Sequence, residues 1–301
     1  MVVVVHGGLS EKDFLAFDTL IRACEMAREV MREKEAIDGV ESAIKILEDD
    51  PRLNAGTGSF PNLLGEIEMS ASVMKNDYSC GGVAAIKNVK NPISVARAVM
   101  EKTRHMLLVG EGANLFASLL GFEPYNPVAE LTIETLKESI CEAEKEKNPI
   151  YHYYLEKARE KLRETHWGTV GAVAKDEKGS LAAGTSTGGV KMQLPGRVGD
   201  SPLIGCGTFA CPFGAVSMTG EGEEIIRWGL ARRIGEWMEK VDAQKAVNMG
   251  IELAREKKIF CGVIAVNSQG EIGWGANGGI LPLAYWKKEM EEPLCMLTNN
   301  S

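Results

Sequence analysis

The chain opens on an unbroken apolar run, Val2-Val3-Val4-Val5, that stops at His6-Gly7-Gly8. A short run with no polar alternation predicts a buried strand. It is too short to span a membrane and lacks the basic flank of a secretion signal. Residues 11–34 switch period: Phe14, Phe17, Leu20, Ile21 and Cys24 recur near helical spacing and predict an amphipathic helix. Residues 38–49 repeat the pattern with Val40, Ala43, Ile44 and Leu47. Asp49-Asp50-Pro51 ends that helix, because a residue before proline is pushed out of the α region. A turn-rich loop, Asn54-Ala55-Gly56-Thr57-Gly58-Ser59, follows. Ile67 to Met74 and Val83 to Val89 read as strands, Asn91-Pro92 opens a helix through Met100, and Met106 to Val109 is a short strand.

Residues 130–166 differ in character. They are crowded with Glu, Lys and Arg, and Leu155, Ala158 and Leu162 form a helical stripe, which predicts an exposed helix or a mobile connector. Beyond them the chain turns apolar again. Val170 to Ala174 and Leu181 to Thr185 read as strands joined by the turn Asp176-Glu177-Lys178-Gly179. Ala215 to Met218 is another, and Gly262 to Val266 pairs with Ile272 to Trp274. Long helices fit 222–239 and 242–256. Hairpins in the second half argue against an all-parallel sheet and for antiparallel sheets covered by helices, an α+β class. With no repeat and no low-complexity linker, residues 1–301 read as a single domain.

Charge removes some functions. Lys and Arg number 34 against 42 Asp and Glu, a formal net charge of −8, which argues against nonspecific nucleic-acid binding. No apolar run has membrane-spanning length. The 7 cysteines are odd in number and scattered, so neither a disulfide framework nor a zinc pattern follows; buried, reduced thiols in a cytoplasmic protein are expected.

Several motifs fail on inspection. Gly184-Thr185-Ser186-Thr187-Gly188 matches the nucleophile elbow, yet all four histidines, His6, His105, His152 and His166, precede it, and a glycine- and proline-bearing loop follows where a helix is required. Gly110-x-Gly112, Gly205-x-Gly207 and Gly220-x-Gly222 each lack the third glycine of a dinucleotide fingerprint. The histidines are not spaced as metal ligands. Glu48-Asp49-Asp50 could supply paired carboxylates for glycoside chemistry, but a solvated helix end is the plainer reading.

What survives is a set of small, hydroxyl and charged residues at strand ends: Gly168-Thr169-Val170-Gly171; Thr185-Ser186-Thr187-Gly188-Gly189; Pro195-Gly196-Arg197-Val198-Gly199-Asp200-Ser201-Pro202; and Ser217-Met218-Thr219-Gly220-Glu221-Gly222-Glu223. Strand ends and the loops after them can present polar groups to a cleft without breaking a core. With Val2 to Gly8, Leu47 to Ser59, Asn91 to Arg97 and Gly110-Glu111-Gly112-Ala113, these segments resemble, in order and over nearly the whole chain, the plant-type (type 2) L-asparaginases and isoaspartyl aminopeptidases, which are N-terminal nucleophile (Ntn) hydrolases. The connector 130–166 is the part least like the family.

The resemblance implies a four-layer αββα sandwich, made as a precursor that cuts itself at Gly168–Thr169 into an α subunit, 1–168, and a β subunit, 169–301. The chemistry is coherent. A threonine hydroxyl needs an adjacent base, and a freed α-amine on Thr169 would supply one with a pKa of about 7.7–8.0. By resemblance Thr187 tunes that hydroxyl, Asn54 supports the nucleophile, and Thr219 with the Gly220 N–H forms the oxyanion hole. Arg197 and Asp200 would hold the α-carboxylate and α-amino groups of the substrate, with Gly222 lining the pocket, and Gly7 and Gly8 form the loop linked to self-cleavage. The backbone carbonyls of Leu47, Glu48, Asp50, Leu53, Ala55 and Thr57 match a structural sodium site, a donor set suited to a hard cation. The implied activity is hydrolysis of the side-chain amide of L-asparagine and of β-aspartyl dipeptides, with no organic cofactor, in a homodimer of cleaved αβ units whose partners are small-molecule or dipeptide substrates.

The chain departs from the family at three places: Leu9-Ser10 in place of Ala-Gly, Glu221 in place of histidine, and Ser70 where aspartate is usual. Two alternatives stand beside the main reading: a glycosylasparaginase-like amidase, and an uncleaved, non-catalytic amino-acid-binding relative.

Overall fold

The computed structural model describes residues 1–9, 14–127 and 168–298, with Lys145, Ile150, Tyr151, Tyr153 and Tyr154. The expected connector over 130–166 lies outside the described residues, apart from those five. Strand β1 (Val2–His6) is followed by α1 (Phe17–Val30), α2 (Ala36–Glu48), a single 3-10 turn (Gly56–Gly58), β2 (Met69–Lys75), β3 (Cys80–Ile86), α3 (Pro92–Lys102), β4 (Leu107–Val109) and α4 (Gly110–Leu119). The second half holds β5 (Val170–Lys175), β6 (Leu181–Thr187), β7 (Thr208–Cys211), β8 (Gly214–Gly220), α5 (Gly222–Trp228), α6 (Leu230–Trp237) and α7 (Ala243–Lys257). It ends with β9 (Cys261–Asn267), β10 (Ile272–Asn277), β11 (Leu281–Lys287) and β12 (Leu294–Thr298).

Two sheets form. The larger has eight strands in the order β12-β11-β1-β5-β6-β2-β3-β4; the smaller has four, β10-β9-β8-β7. All pairs are antiparallel except β3 with β4. The absence of polar alternation in β1 now has its cause. Val3 and Val5 enter a core shared with α1, α2 and α3, while Val2 and Val4 enter a second core shared with the small sheet and with α6 and α7. Successive side chains point to opposite faces, so a strand between two cores must be apolar throughout.

Helix ends follow local chemistry. Glu35 and Asp38 form a reciprocal capping box at the start of α2, and Asp242 accepts the Lys245 N–H at 2.8 Å to cap α7. The single helix expected over 222–239 is instead two: Gly229 adopts φ +56, a left-handed cap that ends α5 and redirects the chain into α6. The helix expected from residue 11 begins at Phe17. Four elements had no expectation: α4, β7, β11 and β12. Pro282 inside β11 and the partly exposed face of edge strand β12 break the strand pattern that sequence reading relies on. The carboxylate run 48–50 is not a solvated helix end, since Glu48 and Asp50 are buried and only Asp49 meets solvent.

Ile44 of α2 packs its Cδ1 where Gly184 of β6 lacks a side chain. Ile44→Ala opens a cavity at a fully buried site and is expected to cost about 2–5 kcal/mol. Urea unfolding with an unchanged slope checks it; a midpoint equal to wild type would contradict this packing account.

Candidate active site

Antiparallel pairing of β5 with β6 sets Val170 opposite Ser186. One step further out, the two threonines flanking that pair meet: Thr169 Oγ1 and Thr187 Oγ1 lie 2.9 Å apart. Thr187 Oγ1 also accepts the Gly189 N–H at 3.0 Å, which leaves its lone proton available toward Thr169. Asn54 stitches this loop from the first half of the chain. Its Nδ2 donates to the Gly189 carbonyl at 2.7 Å, its Oδ1 accepts the Phe60 N–H at 2.9 Å, and its carbonyl accepts the Gly188 N–H at 2.9 Å. Asn54 therefore reaches Thr169 through Gly189 and Thr187.

Gly7 and Gly8 leave β1 against the Gly168–Thr169 bond. Gly168 has φ +117, and a Cβ on Gly8 would sit 2.6 Å from its Cα, so only glycine permits this approach. Beneath lies His6, fully buried; its Nδ1 accepts the Gly8 N–H and its Nε2 faces Ser217 Oγ, both at 3.2 Å. Burial pushes its pKa down to about 3, partly offset by a backbone hydrogen bond at Thr169. His6 is thus a neutral ring engaged with Ser217. It is no base for Thr169, whose hydroxyl has Thr187 as its side-chain partner.

Thr219 and Gly220 end β8, and Gly222 starts α5. These residues, with Thr169, Asn54, Leu9 and Phe260, line a cleft of about 590 Å³. Arg197 and Asp200 stand behind Gly222: a Cβ there would lie 3.0 Å from Arg197 Nη2 and 2.9 Å from Asp200 Oδ1. The missing side chain is what leaves a path from the cleft to that pair. Arg197 is gripped bidentately by Glu223, Nε to Oε1 at 2.9 Å and Nη2 to Oε2 at 2.7 Å, and this guanidinium holds the Glu223 carboxyl below its ordinary value. Desolvation pushes buried Asp200 up to about 7, and its Oδ2 has no hydrogen-bond partner. The oxygen that faces Gly222 is Oδ1, whereas Oδ2 is turned toward Gly207, so a cation arriving over Gly222 would meet Oδ1. Glu221, the departure from the family's histidine, is tied at the rim, its Oε2 accepting the Phe260 N–H at 2.8 Å. Leu9 packs against the cleft wall, whereas Ser10 lies outside the described residues; Ser70 accepts the Ala85 N–H at 3.3 Å.

The loop from Leu47 to Thr57 folds back on itself, and Gly56 lies against the Glu48 carbonyl with no room for a side chain. The carbonyls of Leu47, Asp50, Leu53 and Ala55 each accept a backbone N–H. Each keeps a second lone pair, so the donor set fits a hard cation in kind. Among the described residues no group of three His, Cys, Asp or Glu side chains is gathered as metal ligands. The six described cysteines are free, and Cys141 lies outside the described residues. No helix among the described residues is long and apolar enough to cross a membrane.

Sequence reading missed Glu223 as a partner of Arg197, and with it His6, Thr185 and Ser217. The signal was present in the last two, which stand two positions before Thr187 and Thr219 and so on the same strand faces.

Two threonine hydroxyls thus meet at the Gly168–Thr169 bond, and a cation and an anion stand behind Gly222 at the wall of the same cleft. The family model described as Asparaginase matches residues 2–295. Plant-type L-asparaginases of Pyrococcus horikoshii and Thermococcus kodakarensis are 43% and 41% identical, each over 97% of this chain and 98% of the relative. The isoaspartyl peptidase/L-asparaginase of Homo sapiens is 40% identical over 90% of this chain and 88% of the human protein. The chain belongs to the asparaginase family.

Glu48 gives the region a pH dependence. Its Oε1 accepts from Ser186 Oγ at 2.6 Å and from the Ile93 N–H at 3.0 Å, Oε2 is unpartnered, and burial pushes the pKa up to about 8. A carboxyl whose folded value exceeds its ordinary 4.5 favours the fold while protonated, and that contribution is lost as pH rises through about 8. Glu48→Gln cannot titrate. Wild type is therefore expected to lose stability relative to this variant between about pH 5 and pH 9. Urea midpoints of both proteins across that range test it, and parallel curves would refute it.

Proposed function

We propose that this protein hydrolyses the side-chain amide of L-asparagine to aspartate and ammonia, and cleaves β-aspartyl dipeptides, through Thr169. The observation that carries the reading is the 2.9 Å contact between the Thr169 and Thr187 hydroxyls at the Gly168–Thr169 bond. As the chain stands, the Thr169 nitrogen is tied up in that peptide and cannot serve as a base. Attack of the Thr169 hydroxyl on the Gly168 carbonyl shifts the acyl group from nitrogen to oxygen. Water then hydrolyses the ester and leaves residues 1–168 and 169–301 as separate chains within a four-layer αββα Ntn-hydrolase fold.

The freed amine then takes the proton of its own side chain, so base and nucleophile are positioned covalently. The oxygen attacks the amide carbon, and the Thr219 hydroxyl with the Gly220 N–H stabilises the oxyanion. Ammonia, or the amine of a dipeptide, leaves with the proton. Water, deprotonated by the same amine, releases aspartate from the ester. Arg197 holds the α-carboxylate and Asp200 the α-ammonium, whose positive charge beside the carboxyl draws the Asp200 pKa back down. The cleft of about 590 Å³ exceeds what free asparagine fills, which favours dipeptides as substrates too.

The mechanism uses no organic cofactor. A sodium ion on the 47–57 carbonyls would brace the loop that carries Asn54. We place the homodimer contact on the exposed apolar residues Met106, just before β4, and Leu107, Val109, Leu115 and Leu119 of β4 and α4, because an uncovered edge strand beside an apolar helix face invites a second copy. The working compartment we infer is the cytoplasm.

Prolonged warm incubation should convert one band on a denaturing gel into two, the second beginning Thr-Val-Gly, and Thr169→Ala should stay single and inactive. A wild-type chain that stays whole would support the non-catalytic relative. Assay of a β-aspartyl dipeptide against glycosylated asparagine separates the proposed activity from a glycosylasparaginase, which alone would prefer the sugar-bearing substrate.

A further inference from the structure

The layer between the two sheets changes character along its strands. At one end it is apolar, filled by Val2, Val4, Val173, Leu181 and Ala183. Toward the cleft it becomes a tier of buried hydroxyls, one step below the threonines of the site. Thr185 stands two positions before Thr187, Ser217 two before Thr219, and both are fully buried. Gly171, two beyond Thr169, makes room for them, since a Cβ there would collide with Ser217 Oγ and the His6 ring.

Thr185 is the node of this tier. Its Oγ1 lies 2.7 Å from Ser217 Oγ of β8 and 2.7 Å from Thr208 Oγ1 of β7, and it donates to the Gly207 carbonyl at 3.1 Å. The protons can be assigned. His6 is neutral and its Nδ1 accepts from Gly8, so Nε2 carries the ring proton and donates to Ser217. Ser217 in turn donates to Thr185, as does Thr208. Thr185 then accepts twice and donates once, the full capacity of a hydroxyl. Through Ser217 and His6 the node reaches the Gly8 loop and the Thr169 backbone. Through Gly207, whose N–H donates to the Asp200 carbonyl at 3.1 Å, it reaches the segment bearing Asp200.

We propose that Thr185 is a positioning residue: its hydroxyl locks β6, β7 and β8 in the register that brings Thr169, Thr187 and Thr219 together. Apolar contact between sheets is non-directional and tolerates small sliding, whereas three directional bonds at one oxygen do not. Thr185 does not line the cleft and acts only through its neighbours. The proposal rests on the assignment of Thr169 as nucleophile.

Thr185→Val keeps the shape and removes all three bonds; Thr185→Ser keeps the hydroxyl. With kcat counted per processed Thr169 terminus, valine is expected to lower kcat for asparagine about tenfold or more with KM within about twofold, and serine to restore it, because a misplacement near 1 Å costs up to about a hundredfold. The pH–rate profile should keep its wild-type inflections, since His6 stays neutral. If the valine variant does not fold, Ser217→Ala removes one of the three bonds at Thr185, together with the Ser217 contact to His6, and must lower kcat in the same direction. A folded valine variant with wild-type kcat per terminus, even at a lower melting temperature, overturns the proposal, as does failure of serine to restore activity. Absence of any chain beginning at Thr169 in wild type would instead refute the nucleophile assignment, and that shows before any variant is compared.

Discussion

The site depends on the register between β5 and β6. Pairing of Val170 with Ser186 carries Thr169 and Thr187 to within 2.9 Å of each other at the sheet's end. A slip of one residue would turn every side chain of one strand to the opposite face and separate the two hydroxyls. Both faces of these strands are buried in different cores, so such a slip would also place Ala182 and Ala183 in the wrong layers. The packing that stabilises the fold and the geometry the chemistry needs are thus fixed by the same constraint.

Most polar groups buried in this otherwise apolar fold are satisfied by one another or by the backbone. His6, Ser217, Thr185 and Thr208 form a bonded series with no exposure to water. Two of the buried carboxylate oxygens, Glu48 Oε2 and Asp200 Oδ2, have no hydrogen-bond partner and lie near the site. A buried acceptor without a donor is costly, and both carboxyls respond by holding their protons more tightly than usual. Glu48 couples the α2 terminus to Ser186, the residue between Thr185 and Thr187.

Much of this was legible in the sequence where local rules operate. β1 announced itself by an unbroken valine run, α2 by its period and by the proline after it, and the loops 54–59, 168–171 and 217–223 by dense glycine and hydroxyl content. The misses have physical causes too. Gly229 split a helix because a left-handed cap looks, in sequence, like one tolerated glycine. β11 hid behind Pro282 and β12 behind its exposed face. Glu48 and Asp50 looked like a solvated helix end because a carboxylate run gives no local sign that Ser186, Ile93, Arg52 and Thr19 will surround it.

The sequence alone determined most of the element types, the burial of β1, the membership of the family and the identity of the hydroxyl-bearing strand ends, because periodicity and turn chemistry act over a few residues. Tertiary structure alone decided which of those ends meet. It gave Arg197 to Glu223 rather than to Asp200, set Gly8 against Gly168 across 160 positions of chain, and made Thr185 a junction of three strands. Such contacts join residues far apart in sequence, so their geometry comes from how two sheets stack, and no local pattern encodes it.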